Sequence, residues 1–188
     1  MRKISLSLRR GLAWAPALLI CLSLTNCFKD DDPLAEQYAE WKAQNERYIA
    51  EAEALAGDDG GLFYERIQPS WAPSAYTLIH WFNDRRLTEN NLSPMDNSTV
   101  EITYLLRNVD GDTISSSFAS TDSIYRSKPQ DNIIGIWYPL TQMHVGDSVQ
   151  LVIPYQAGYG ERLYGGIPPY STLVYNIKMK AVTAYEVP

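Results

Sequence analysis

The spacing of apolar positions changes period along the chain, and the change falls near Gly57. From Leu34 to Leu55, the residues Leu34, Tyr38, Trp41, Asn45, Tyr48, Ala52 and Leu55 recur at alternating intervals of four and three. Glu36, Glu40, Glu46, Glu51 and Glu53 cover the opposite face. This predicts an amphipathic helix, suited to docking on a domain, to forming a stalk or to pairing along a dimer seam. Gly57-Asp58-Asp59-Gly60-Gly61 then breaks the pattern. Beyond it the period is two. Strands are expected over residues 62–67, 76–82, 99–106, 148–153 and 172–182, and Asp110-Gly111 marks a tight hairpin between two runs. Only residues 136–143 read as a helix in this half, with Pro139 acceptable if it lies in the first turn. Many strands around one short helix give an α+β fold, the helix packed on one face of an antiparallel sheet.

The first 26 residues follow neither period. They carry Arg2, Lys3, Arg9 and Arg10, no acid, and an apolar run from Gly11 to Leu24 interrupted by Pro16. A short apolar run behind a basic start is the pattern of a secretory signal peptide rather than a membrane span. Leu24-Thr25-Asn26-Cys27 resembles a bacterial lipobox, in which the cysteine receives lipid, and Phe28-Lys29-Asp30-Asp31-Asp32 resembles the acidic export tag of surface-exposed lipoproteins. The resemblance implies lipidation at Cys27 and an outer-membrane location facing the surface, with the periplasmic face as the alternative. Several acyl chains on one residue would make that anchor firm.

Charge and composition then narrow the chemistry. The formal charge is −6, but the 16 Lys and Arg less the 4 in the leader leave 12 against 22 acids, a net −10 for the remainder. That balance excludes nucleic acid as a partner, which needs a basic footprint. Two His and two Cys exclude a His-rich metal site and a disulfide framework. His80 lies in an apolar strand and His144 in a turn, neither with a catalytic partner at useful spacing. Asp110 and Asp112 flank a glycine and read as turn residues. The 13 Tyr and 5 Trp against 4 Phe stand out, because such rings join an apolar face to a polar tip and suit a binding surface.

An ordered series carries the function. It runs Val100-Glu101-Ile102-Thr103-Tyr104, Asp110-Gly111-Asp112-Thr113-Ile114, Ile133-Ile134-Gly135-Ile136-Trp137, Val145-Gly146-Asp147, Leu151-Val152-Ile153-Pro154, Gly158-Tyr159-Gly160, Ile167-Pro168-Pro169 and Ser171-Thr172-Leu173-Val174-Tyr175. In order and spacing this resembles the FKBP-type peptidyl-prolyl cis-trans isomerases, from about Ser98 to Val182. The resemblance implies a curved antiparallel sheet wrapped around one short helix, with an N-terminal helix and an inserted hairpin added. The expected division is a signal peptide (1–26), a lipid anchor and acidic tether (27–33), an N-terminal helix and linker (34–60) and an FKBP-like domain (61–188) with an insertion at about 69–92. That insertion carries Trp71, Trp81, Arg85 and Arg86.

By matching position, Tyr159, Trp137 and the Ile134 backbone N–H are the expected catalytic groups, with Trp137 as the pocket floor. Tyr104, Ile114, Ile133, Ile167 and Tyr175 are the expected substrate-binding residues, and Tyr125 is a candidate wall. The chemistry implied is rotation about X–Pro bonds in proline-containing peptides or client proteins, with no cofactor and no metal. The alternative is a non-catalytic peptide- or ligand-binding lipoprotein. Four departures bear on that choice: Ser115 where the family has an acid, Ile114 in place of an aromatic, Tyr175 in place of Phe, and Ile136 where a Gly is expected before the floor Trp.

Overall fold

The computed structural model describes residues 33–184; the expected signal peptide, Cys27 and the acidic run Asp30–Asp32 lie outside the described residues. The N-terminal helix forms in two pieces, α1 (Pro33–Gln37) and α2 (Ala39–Ala54). Strands β1 (Glu65–Ile67), β2 (Thr77–Trp81), β3 (Thr99–Arg107), β4 (Thr113–Ser116) and β5 (Tyr125–Ser127) follow. Helix α3 (Ile134–Gln142) precedes β6 (Ser148–Ile153) and β7 (Leu173–Ala184). Among the described residues the seven strands form one antiparallel sheet in the order β1-β2-β6-β7-β3-β4, with β5 on the same edge of β3 as β4. Register shifts in the β3–β7 and β3–β4 pairs insert bulges, which bend a sheet and let it wrap around a helix.

Alternation along the central strands builds two cores, one on each face. Ile79, Leu151, Ile153, Leu173, Tyr175, Ile177 and Met179 point to the face covered by α3, where Ile136, Leu140 and Met143 meet them. Leu78 and Val152 point the other way and pack with Ala52 of α2 and Tyr64. The sheet is therefore helix-covered on both faces. Of the three roles open to the N-terminal helix, docking is the one observed. Asn45, its one buried polar side chain, donates from Nδ2 to the Trp41 carbonyl at 2.8 Å and accepts from the Thr172 backbone N–H at 2.6 Å.

Two local expectations change. Helix α3 starts at Ile134, so Pro139 lies past its first turn. A proline there removes the N–H that would bond the carbonyl of Gly135. The Thr77 hydroxyl donates to that buried carbonyl instead, at 3.2 Å. The 69–92 segment is also less of an appendage than expected. Its residues 77–81 are β2, which does form a hairpin with β1 but pairs on its other side with β6. Behind it, Thr88 Oγ1 and Asn83 Nδ2 donate to the fully buried carboxylate of Asp147 at 2.5 and 3.0 Å, tying the rest of the segment to the turn before β6. Burial pushes that carboxyl pKa up. The hydrogen bonds from Thr88, the His144 N–H and Asn83, with the Arg85 charge, outweigh burial and hold it below its ordinary value.

Candidate functional site

Helix α3 and the concave face of the sheet do not fill all the space between them. A cavity of about 460 Å³ opens there. Strand β3 supplies Tyr104 and Leu106, β4 supplies Ile114 and Ser115, β5 supplies Tyr125 and β7 supplies Tyr175 and Ile177. Ile136 of α3 and Ile133, the residue just before it, close it from the helix side, and the loop between β6 and β7 adds Tyr159, Tyr164 and Ile167.

Each group arrives there for a local reason. Tyr104 and Tyr175 sit on the inward parity of neighbouring strands, with ring centroids 5.9 Å apart. Tyr125 meets the Tyr104 ring edge to face at 5.4 Å, and Tyr164 stacks on Tyr159 at 4.2 Å. Gly111, with a φ of 87°, turns the chain from β3 into β4, while Asn108 Oδ1 accepts from the Asp110 and Asp112 backbone N–H groups. Both aspartates are turn residues, as their spacing indicates. The hairpin brings Ser115 within 2.9 Å of the Tyr104 hydroxyl. Burial, reinforced by neighbouring tyrosines, pushes the hydroxyl pKa values of Tyr159 and Tyr175 above the usual range. These rings stay neutral at physiological pH. The Tyr159 hydroxyl makes no hydrogen bond among the described residues, so it is available to a ligand.

Most of the expected residues come together: Tyr104, Ile114, Ile133, Tyr159, Ile167 and Tyr175 all line the cavity, and so does Tyr125. Two do not. Trp137 and Ile134 are absent from the lining, and the residue beneath the cavity is Ile136. The reason is helical geometry. Ile133, Ile136, Leu140 and Met143 follow intervals of three and four and face the sheet. Trp137 stands about 100° further round, where it is half-buried outside the cavity. There its indole N–H donates to Asp96 at 2.6 Å and its ring lies 5.1 Å from Trp71.

The glycine thought to be replaced by Ile136 is likewise present one residue earlier. A Cβ on Gly135 would lie 2.3 Å from Ile153 Cγ2 and 2.9 Å from the Ala157 carbonyl oxygen. Only glycine allows the helix to sit this close to β6. The same four-residue stripe was present in the sequence and would have located the floor.

Sequence reasoning also missed Tyr164, which caps Tyr159 from a loop of no regular period, and the polar rim residues Asp131 and Asn132. Asn132 shapes the approach to α3 by donating from Nδ2 to the Lys128 carbonyl at 2.8 Å. His80 stacks on Phe63 at 3.7 Å and its Nδ1 lies 2.8 Å from the Phe63 carbonyl, on the face away from the cavity. Among the described residues no three His, Cys, Asp or Glu side chains gather where a metal would need them.

Residues 91–180 match the family model described as FKBP-type peptidyl-prolyl cis-trans isomerase. The chain is 35% identical over 88 residues to the FKBP-type 22 kDa peptidyl-prolyl cis-trans isomerase of Escherichia coli K12, a match covering 46% of this chain and 42% of that relative. It is 32% identical over 88 residues to FkpA of the same organism, covering 46% of this chain and 32% of FkpA. The chain thus spans less than half the length of the curated relatives it matches. Among solved structures, a peptidyl-prolyl cis-trans isomerase from Pseudomonas syringae superposes with a TM-score of 0.61 at 22% identity, over 80% of this chain and 96% of that one. FkpA from Escherichia coli superposes with a TM-score of 0.55 at 22% identity, over 80% and 61%. At such identities the superpositions show the fold.

Proposed function

Residues 91–180 match the family of FKBP-type peptidyl-prolyl cis-trans isomerases, and from that premise we propose that this chain catalyses cis-trans isomerisation of X–Pro bonds. The observation that carries the reading is the open cavity over Ile136, walled by tyrosine rings and isoleucines, with a Tyr159 hydroxyl in its lining that makes no hydrogen bond among the described residues. Rotation about a peptide bond faces about 18–20 kcal/mol because the amide must lose its resonance. An X–Pro bond therefore turns over in roughly 10–100 s unaided. A dry cleft disfavours the planar, polar amide relative to the twisted one, whose C–N bond has lost double-bond character. That is preferential binding of the transition state.

In this scheme the prolyl ring rests on Ile136, between Tyr104, Tyr175 and Ile167. Tyr159 donates to a substrate carbonyl, and a backbone N–H at the start of α3 is suited to a second, Ile133 being the lining residue there. No ionisation is needed, which agrees with neutral tyrosines.

The proposed clients are proline-containing segments of envelope or surface proteins. The proposed location is the outer membrane, through lipid on Cys27, which the lipobox-like run and the acidic residues behind it support. A specific observation favours a second reading, peptide binding without catalysis. Ser115 offers Tyr104 only a neutral hydroxyl partner where the family has an acid, and the floor is aliphatic. A protease-free proline-isomerisation assay tests the choice. Acceleration by the folded chain is expected. Peptide binding without acceleration would favour the second reading, and neither would refute both.

A further inference from the structure

The loop that carries Tyr159, Tyr164 and Ile167 runs from Pro154 at the end of β6 to Thr172 at the start of β7. Its middle is held by few bonds of its own. Tyr164 and Ile167 pair across a tight turn, Gly160 N–H donates to the Tyr155 carbonyl, and Tyr170 N–H donates to the Gly160 carbonyl. Its base contains a strained residue: Tyr170 is buried with a φ of 61°, a left-handed conformation that a bulky residue adopts only where its surroundings enforce it.

Those surroundings come from the N-terminal helix. Trp41 Nε1 donates to Ser171 Oγ at 3.1 Å, and Asn45 Oδ1 accepts from the Thr172 N–H at 2.6 Å. The Lys42 ammonium lies 4.8 Å from the centroid of the Tyr170 ring and 5.9 Å from that of Tyr155. These two rings flank the two ends of the loop and meet edge to face at 5.3 Å. Trp41, Lys42 and Asn45 of α2 thus contact both ends of the segment that delivers one wall of the cavity. Asn45 spends its side-chain donor on Trp41 and its acceptor on Thr172, so one residue couples helix to loop.

We infer that α2 is a clamp that sets the position of the cavity loop, with Asn45 as its central positioning residue acting on Tyr159 and Tyr164 through Thr172 and Tyr170. Among the described residues none of those lining the cavity belongs to α2, so its effect on a bound peptide is indirect. The effect on peptides rests on the isomerase reading, whereas the effect on the loop does not.

The test is amide hydrogen exchange on the full chain without substrate, comparing the unaltered protein with Asn45→Ala. Exchange is expected to quicken about tenfold across residues 155–172, Gly160 and Tyr170 included, while Ile102, Leu106 and Ile177 keep their protection. Unchanged protection at Gly160 and Tyr170 would overturn the clamp. So would a loss spread equally through β3 and β7, which marks a general loss of stability. If Asn45→Ala does not fold, Trp41→Phe keeps an aromatic side chain, removes the indole N–H that bonds Ser171 and is read in the same way. Where the chain isomerises a prolyl peptide, KM should rise about fivefold in Asn45→Ala with kcat within twofold, as loss of a positioned binding wall requires. A fall in kcat at unchanged KM would contradict the inference. A chain without isomerase activity would refute the proposed function and leave the exchange result to decide the clamp.

Discussion

The two faces of the sheet solve the same packing problem to different ends. On the convex face, α2 lies against Leu78 and Val152, and its one buried polar side chain has partners for both its donor and its acceptor. On the concave face, α3 packs just as tightly at Gly135, Leu140 and Met143, but beside them a cavity of about 460 Å³ stays open. An interface whose remaining gap is small, about 100 Å³ between α2 and Tyr76, Pro154 and Thr172, yields stability. An unfilled one lined by tyrosine rings and isoleucines leaves apolar surface exposed, and that surface gains most by enclosing a ligand. The difference is made by residue choice on strands both faces share: Leu78 and Ile79 are adjacent, and each serves a different core.

Substitutions separate the faces, beginning with the largest expected effect. Gly135→Ala forces a methyl group into Ile153 and the Ala157 carbonyl. It should cost about 3 kcal/mol in chemical denaturation, as overpacking of a rigid contact does, and should also displace α3 and lower activity. Leu78→Ala should cost about 2–3 kcal/mol through the void it leaves on the convex face, yet keep kcat/KM within twofold at temperatures where it is folded. A matching loss of activity would show that the faces are not independent. Tyr159→Phe should leave stability almost unchanged and lower kcat/KM roughly fivefold, the worth of one hydrogen bond of about 1 kcal/mol. The smallest effect expected is none at all. Burial holds the Tyr159 and Tyr175 hydroxyls protonated, their pKa values being raised. That neutral state persists below their ordinary value near 10 and is lost only as pH rises through the higher folded value. The rate profile should therefore be flat from about pH 6 to 9, and a bell within that window would break the scheme.

Much of this arrangement was legible in the chain. The period-two runs located β2, β3, β6 and β7, most plainly β3, whose buried positions alternate because one of its faces is less covered. The stripe from Leu34 to Ala52 located the helix, but an amphipathic face does not say what it faces. Contacts made only in the fold decide that, among them Asn45 with Thr172, 127 residues apart in sequence, and Trp41 with Ser171. The floor was misassigned by one residue, since the resemblance drew attention to a tryptophan while the intervals of Ile133, Ile136, Leu140 and Met143 pointed to isoleucine. Tyr164 was hidden for a different reason. Its place depends on loop turns at Gly160, Gly165 and Gly166, whose positive φ values leave no periodic trace.

The central claim is that the cavity over Ile136 is where an X–Pro bond turns, and it is tested most directly by assaying Ile136→Ala and Trp137→Ala side by side for proline isomerisation. With both variants shown to be folded, the account predicts that Ile136→Ala loses about tenfold or more in kcat/KM, roughly 1.4 kcal/mol of transition-state binding. Trp137→Ala, outside the cavity beside Asp96 and Trp71, should stay within twofold of the unaltered chain. The reverse order, with Trp137→Ala inactive and Ile136→Ala unimpaired, would contradict it.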